Sequence, residues 1–147
     1  MSMKAVLRLS VAIACMMLLS GCSSFHREWR KAGREATPPP GIEGRWDGRW
    51  LSDANGHHGR LRAVITRTAP GKYRAHYRAK FLRIMSYSYA AELTARETSG
   101  VYSFDGQADL GRLAGGVYSY AGTASTTNFH SSYKSKYDQG NYDMRRP

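Results

Sequence analysis

From Trp46 onward the aromatic residues of this chain keep step with a period of two. Trp46 and Trp50 share a parity. So do Tyr73, Tyr77 and Phe81, Tyr87 and Tyr89, Tyr102 and Phe104, Tyr118 and Tyr120, and Phe129, Tyr133 and Tyr137. A helix, with its repeat of about 3.6 residues, would scatter these rings around its surface, whereas a strand sends every second side chain to one face. The intervening positions have the opposite chemistry: Arg74, His76, Arg78 and Lys80 in one run, His130, Ser132, Lys134 and Lys136 in another. This is the pattern of half-buried antiparallel strands, rings inward and cations outward. On this reading His76 and His130 are solvated, and all ten tyrosines face inward.

Turn signals cut the alternating region into short runs. Asn55-Gly56, Pro70-Gly71, Ser99-Gly100, Gly115-Gly116 and Gln139-Gly140 mark them,. Eight strands are expected, at about 44–52, 59–68, 72–81, 86–97, 101–109, 116–123, 127–137 and 141–146. Between Lys72 and Thr98 there is no glycine or proline, so the turn near Leu82 to Met85 is placed by length alone. The break at Ala124 to Thr126 is equally unmarked. Short connections pair sequence neighbours as hairpins, and an even number brings the last strand antiparallel to the first. Closure would remove both edges. The small residues between the rings, Gly48, Ala75, Ala79, Gly106, Ala108 and Gly122, suit a tightly curved sheet. The expected fold class is all-β, a small antiparallel up-and-down barrel of about eight strands over 44–147. A seven-stranded or partly open barrel is the structural alternative.

The amino-terminal segment has a different texture. Lys4 and Arg8 precede an apolar run from Leu9 to Leu19, and Leu19-Ser20-Gly21-Cys22 follows. The run has signal-peptide length and is short for a bilayer span. The four-residue motif resembles the lipobox of bacterial lipoproteins. The resemblance implies residues 1–21 as a signal helix cleaved between Gly21 and Cys22, with a diacylglycerol on the Cys22 sulfur and acylation of the new amino terminus. Ser23 stands where an aspartate would resemble an inner-membrane retention signal. In a cell with two membranes, the outer one, facing the periplasm, is then expected. Several acyl chains give stable anchoring. Residues 22–43 read as a flexible tether: the charged stretch Phe25 to Glu35 is either disordered or a short helix on the membrane with Trp29 at headgroup level, and Pro38-Pro39-Pro40 is a stiff spacer.

The formal net charge is +11, of which Lys4 and Arg8 contribute two, leaving +9 from residue 22 onward. An exported, tethered chain seldom meets nucleic acid, so none is expected as a partner. Anionic lipid, lipopolysaccharide or an acidic polymer suits the charge better; a merely solvated basic face is the plainer reading. The two cysteines are Cys15 and Cys22, so the folded part has no thiol for catalysis, metal binding or a disulfide. A monomer is expected.

Gly44-Arg45-Trp46 opens the first strand and Arg146 sits at the last. The pair resembles the calycin pattern of lipocalins and avidin-like proteins, in which a Gly-x-Trp on the first strand is covered by a basic residue from the last. The resemblance implies that Trp46 plugs one end of the barrel and Arg146 stacks on it, in structural roles. It covers architecture only and carries no ligand.

Catalytic signatures are sparse. There is no Gly-x-Ser-x-Gly elbow and no phosphate-cradling loop ending in Lys-Ser/Thr,. Leu110 to Gly116 reads as an inter-strand loop. His57 and His58 with Asp53 read as polar turn residues, since adjacent histidines point apart; Asp105 and Asp109 read as outward polar positions. No enzyme activity, cofactor or metal is expected. The interior is more informative. Ten buried hydroxyls each need a partner or cost about 1–3 kcal/mol. Either the barrel encloses a pocket in which Trp50, Tyr77, Tyr89, Tyr120 and Tyr133 meet an amphipathic small molecule or acyl chain, or the rings fill a narrow barrel and the hydroxyls reach its rims. In the second case the chain would be a non-enzymatic envelope interaction protein, working through Arg74, Arg78, Lys80, Lys134 and Lys136. Phe81, Leu82, Ile84 and Met85 form an exposed apolar tip if they make a turn, and core if they lie within a strand.

Overall fold

A computed structural model of the chain describes residues 24–35 and 40–147. The signal segment, Gly21 and Cys22, and Pro38 and Pro39 of the spacer lie outside the described residues. The alternating region forms eight antiparallel strands: β1 (Gly44–Ser52), β2 (His58–Ala69), β3 (Lys72–Phe81), β4 (Met85–Thr98), β5 (Val101–Asp109), β6 (Val117–Ala124), β7 (Asn128–Lys134) and β8 (Gln139–Arg145). Each pairs with its sequence neighbour, and β8 pairs with β1 to close the barrel. Closure leaves no strand edge open to a second chain.

The wall sorts its side chains by parity. Trp46, Leu61, Ala75, Tyr77, Leu93, Phe104, Tyr120, Phe129 and Met144 are buried inside. Lys80, Glu92, Asp105 and Lys134 face out and are exposed. An apolar interior under a charged exterior is the reverse of a barrel that faces lipid with its wall. Strands approach closely where the barrel curves: a β-carbon added at Gly48 would run into the Asp143 carbonyl oxygen across the β1–β8 seam. Gly48→Ala is therefore expected to open that seam and lower the melting temperature by several degrees, readable by calorimetry.

One end is closed by Trp46. Its ring is fully buried, its Nε1 donates to the Ile42 carbonyl at 2.9 Å, and it lies 5.6 Å from the Phe129 ring. Arg146, one residue beyond β8 rather than on it, places its guanidinium 4.2 Å from the Trp46 ring centroid. It donates to the carbonyls of Gly41 at 2.8 Å, Glu43 at 2.5 Å and Thr126 at 3.1 Å. The cation lies over the face of the indole, where the ring's quadrupole attracts it.

Residues 24–33 are helical, and this helix, α1, packs on the outside of the wall. Phe25, Trp29 and Ala32 recur at helical spacing on one face. Phe25 is fully buried, with its ring 5.2 Å from His76. Trp29 lies between the guanidinium groups of Arg45 and Arg62, at 5.2 and 5.0 Å. Glu28 accepts from Arg74 at 3.2 Å and meets the His76 Nδ1 at 2.9 Å. These contacts correct three expectations. The first half of the tether is a docked helix with its tryptophan against the barrel. His76 is buried rather than solvated, because α1 covers its outward position and that of Val64. Arg74 and Arg78 are part-covered rather than fully exposed. In sequence, the proline run falls between α1 and β1.

Burial alone would raise the Glu28 pKa, but the hydrogen bond and charge of His76, then those of Arg74, more than offset it and hold it below the usual carboxylate range. A depressed carboxylate stabilises docking at full strength above its unfolded value and loses that contribution as pH falls through the folded one. Acidification below about pH 4, or Phe25→Ala at neutral pH, is therefore expected to release α1. Amide exchange would then rise in 24–33 while the strands stay protected.

Candidate functional site

The end opposite Trp46 is open. The four loops there join β1 to β2, β3 to β4, β5 to β6 and β7 to β8, and the last three border a cup of about 720 Å³. Its wall is aromatic and aliphatic: Trp50, Ala79, Phe81, Met85, Tyr87, Tyr89, Leu110, Leu113, Tyr118, Tyr133 and Tyr142. Asp138 and Arg112 are the charged groups on it. A site of this size and lining matches small-molecule pockets, which are mostly apolar with a few placed polar groups.

The interior is divided between a filled part and a cup, and in the filled part the Tyr77 and Tyr120 hydroxyls are buried rather than at a rim. From Trp46 up to Tyr77 and Tyr120 the rings fill the bore: Phe104 stacks on Phe129 at 4.9 Å, and Tyr77 lies 6.0 Å from Tyr120. Above them the bore widens into the cup. Of the five tyrosine and tryptophan positions expected to line a pocket, Trp50, Tyr89 and Tyr133 do so, while Tyr77 and Tyr120 lie beneath its floor in the filled part. Tyr137 lies outside the bore, on the rim of the cup. β7 ends at Lys134, and the following loop, held by Asp138 N donating to Ser135 Oγ at 3.0 Å, leaves Tyr137 70% exposed.

The floor of the cup is polar. The Tyr89 and Tyr142 hydroxyls meet at 2.5 Å. The Tyr120 hydroxyl is close by but outside hydrogen-bond geometry, and the Tyr77 hydroxyl is buried with no hydrogen-bond partner among the described residues. Burial first, then the neighbouring hydroxyls, pushes the Tyr89 and Tyr142 pKa values well up. Burial pushes Tyr120 up to about 12, and raises Tyr77 further. All four are neutral phenols at physiological pH, able to donate and to accept. On the wall, Asp138 accepts from Ser52 Oγ at 2.6 Å and from the Tyr133 hydroxyl at 3.1 Å. Trp50 Nε1 donates to the Lys80 carbonyl at 3.1 Å, so the indole offers its ring to the cup and not its N–H.

Sequence parity put Tyr87 and Tyr118 inside but did not single them out. Leu110 and Leu113 were missed because they belong to a loop, Leu113 on a single 3-10 turn at Arg112–Ala114, where parity has no meaning. The Leu82 to Met85 stretch is a turn: Phe81 pairs with Met85, and Leu82, Ile84 and Met85 are exposed. Leu82 and Arg83 both have left-handed backbones, φ 45° and 66°, a conformation that costs a non-glycine residue on the order of 1–2 kcal/mol.

The basic exterior is divided. Arg74 is tied to Glu28. Lys134 is exposed on the outer face of β7, and Lys136 is on the β7–β8 loop with its Nζ 5.4 Å from the Tyr137 ring. Arg60, Arg62, Arg78 and Lys80 converge with Ser86 around a separate outer cavity of about 200 Å³. Asp47 is an acid beside it, paired with Arg60 and, at 3.5 Å, with Arg62; the buried Nη1 of Arg78 has no acceptor among the described residues. His57 and His58 are exposed in the β1–β2 loop region, and Asp105 and Asp109 face outward. No protein-family model, curated protein or solved structure matches the chain.

Proposed function

We propose that the protein is a membrane-anchored envelope lipoprotein whose barrel binds an amphipathic small molecule or acyl chain in its open end. The observation that carries this reading is the cup itself, an apolar volume of about 720 Å³ over a floor of neutral tyrosine hydroxyls. An acyl or aromatic body would be desolvated against Trp50, Phe81 and Tyr118. A polar group reaching the floor would exchange hydrogen bonds with Tyr89 and Tyr142, and one nearer the mouth would meet Arg112. The lipobox resemblance supports anchoring through Cys22 and, in a cell with two membranes, placement at the outer one.

Trp50 reports the test. Titrating a medium-chain fatty acid into the chain should change the Trp50 emission with saturable, one-to-one stoichiometry. Ala79→Trp, which fills the cup, should weaken binding by roughly tenfold or more. Emission that does not respond to amphiphiles of any chain length would rule the reading out.

A second reading, an interaction protein working through its basic exterior, is favoured by the Arg60, Arg62, Arg78 and Lys80 cluster. Under it, reversing Arg60 and Lys80 to glutamate would abolish retention on immobilised lipopolysaccharide while leaving fatty-acid binding intact.

A further inference from the structure

Among the described residues, the exposed large apolar side chains gather at the open end. Leu82, Ile84 and Met85 are on the β3–β4 turn, Leu113 on the β5–β6 loop and Tyr137 on the β7–β8 loop; Val101 is the one at the closed end. Leu113 is fully exposed and Ile84 is 88% exposed. Each of the three loops sets a cation directly beside its apolar tip: Arg83 between Leu82 and Ile84, Arg112 before Leu113, Lys136 before Tyr137. The ion pairs formed among the described residues involve none of these three cations. Apolar side chains that enter an interface, each flanked by a cation at headgroup level, complement an anionic bilayer surface in both hydrophobicity and charge.

The backbone adds an independent observation. A tight turn of this kind ordinarily uses glycine or asparagine where the chain is left-handed. Here those positions hold Leu82 and Arg83. Leu82 is 75% exposed, and Arg83 is exposed beside His58, Arg60 and Lys80 on the outer wall, so neither side chain is buried in the core. Backbone strain retained for exposed side chains points to a task outside the fold.

We propose that the open rim is a membrane-docking surface. Leu82, Ile84, Leu113 and Tyr137 enter the interface of an anionic phospholipid bilayer, Arg83, Arg112 and Lys136 meet its phosphates, and the mouth of the cup faces the lipid. This extends the binding reading by naming the bilayer as the source of the amphiphile, although the surface itself does not depend on the cup being occupied. A lipidated Cys22 would reinforce it. Two residues of chain span at most about 7 Å, so α1 and the barrel would stay beside the membrane, where weak contacts at three loop tips act together.

The described core runs from Phe25 to Met144 in a closed barrel, so the chain from residue 22 carries the folding unit, and with Cys22→Ser it has no cysteine. Single thiols placed at Ile84, Leu113 and, as a control, Val101 can then carry a polarity-sensitive dye. Mixed with vesicles of phosphatidylcholine and phosphatidylglycerol, the dyes at Ile84 and Leu113 should shift to an apolar signal and the one at Val101 should not. Phosphatidylcholine alone should bind roughly tenfold or more weakly, as should the variant Arg83→Gln/Arg112→Gln/Lys136→Gln on the mixed vesicles. The double variant Leu82→Asn/Arg83→Gly relieves the backbone strain, so it should melt at the same or a higher temperature and yet bind the mixed vesicles roughly tenfold or more weakly. Equal signals at all three positions, or none at Ile84 and Leu113, would overturn the proposal. So would an apolar signal at Ile84 that needs only more protein and no lipid, which would assign the rim to a second copy of the chain. Vesicle docking without fatty-acid uptake would uphold the surface and remove the cup reading; uptake without docking would do the reverse.

Discussion

Above about pH 10 the barrel is expected to unfold in one cooperative step, with tyrosine ionisation and loss of strand signal coinciding. Tyr77, Tyr89, Tyr120 and Tyr142 all have pKa values raised chiefly by burial. In the unfolded chain each returns to about 10. The sign follows from that difference. Below about pH 10 all four are protonated in both states and stability is intact; above it the unfolded chain releases protons that the folded one retains. Each group then favours unfolding by about 1.4 kcal/mol per pH unit, so the four together give roughly 5–6. A domain with a typical 5–15 kcal/mol of stability would lose it within roughly one to three units. Parallel absorbance and circular dichroism titrations check this. Tyr77→Phe removes one of the four groups along with a buried hydroxyl that has no partner among the described residues, so it should make the alkaline transition shallower without lowering stability at neutral pH. Tyrosines that titrate near 10 with the strand signal unchanged would mean the cluster is solvated.

Trp46→Ala is expected to cost about 3–5 kcal/mol, close to the whole stability of a small barrel. The indole is fully buried between Phe129 and the guanidinium of Arg146. Its loss would leave a cavity at the closed end, free the Ile42 carbonyl from its Nε1 donor, and remove the face on which Arg146 lies. The cation would then be partly buried with nothing but carbonyls around it. Trp46→Phe keeps the ring and loses the hydrogen bond, so it should cost only about 1–2 kcal/mol. Denaturant unfolding monitored through Trp29 and Trp50 separates the two variants.

Most of the barrel was legible because one face is aromatic and the other charged, so parity carried both strand existence and direction of burial. Even the unmarked turn after Phe81 fell at its expected place, on length alone. Its sequence carries no turn signature because the left-handed positions hold Leu82 and Arg83. Parity failed in two ways. It does not survive the end of a strand, so Tyr137, three residues past Lys134, was assigned to the interior. It is also blind to what docks on the wall, so His76 read as solvated although α1 covers it. Height along the bore was equally invisible. Tyr77 and Tyr89 have the same parity and directly opposed positions, yet one belongs to the plug and the other lines the cup. The difference comes from the third dimension, where Trp46, Phe104 and Phe129 meet across one end while Trp50, Phe81 and Tyr118 line the wall of the cup at the other.

Native mass spectrometry of the protein recovered in mild detergent from the cells that make it tests the central claim most directly. An open-ended cup that binds amphiphiles predicts one added non-covalent mass per chain, released by organic solvent and missing from Ala79→Trp. The bare chain alone, unchanged after incubation with a total lipid extract and identical for the wild type and Ala79→Trp, would contradict it.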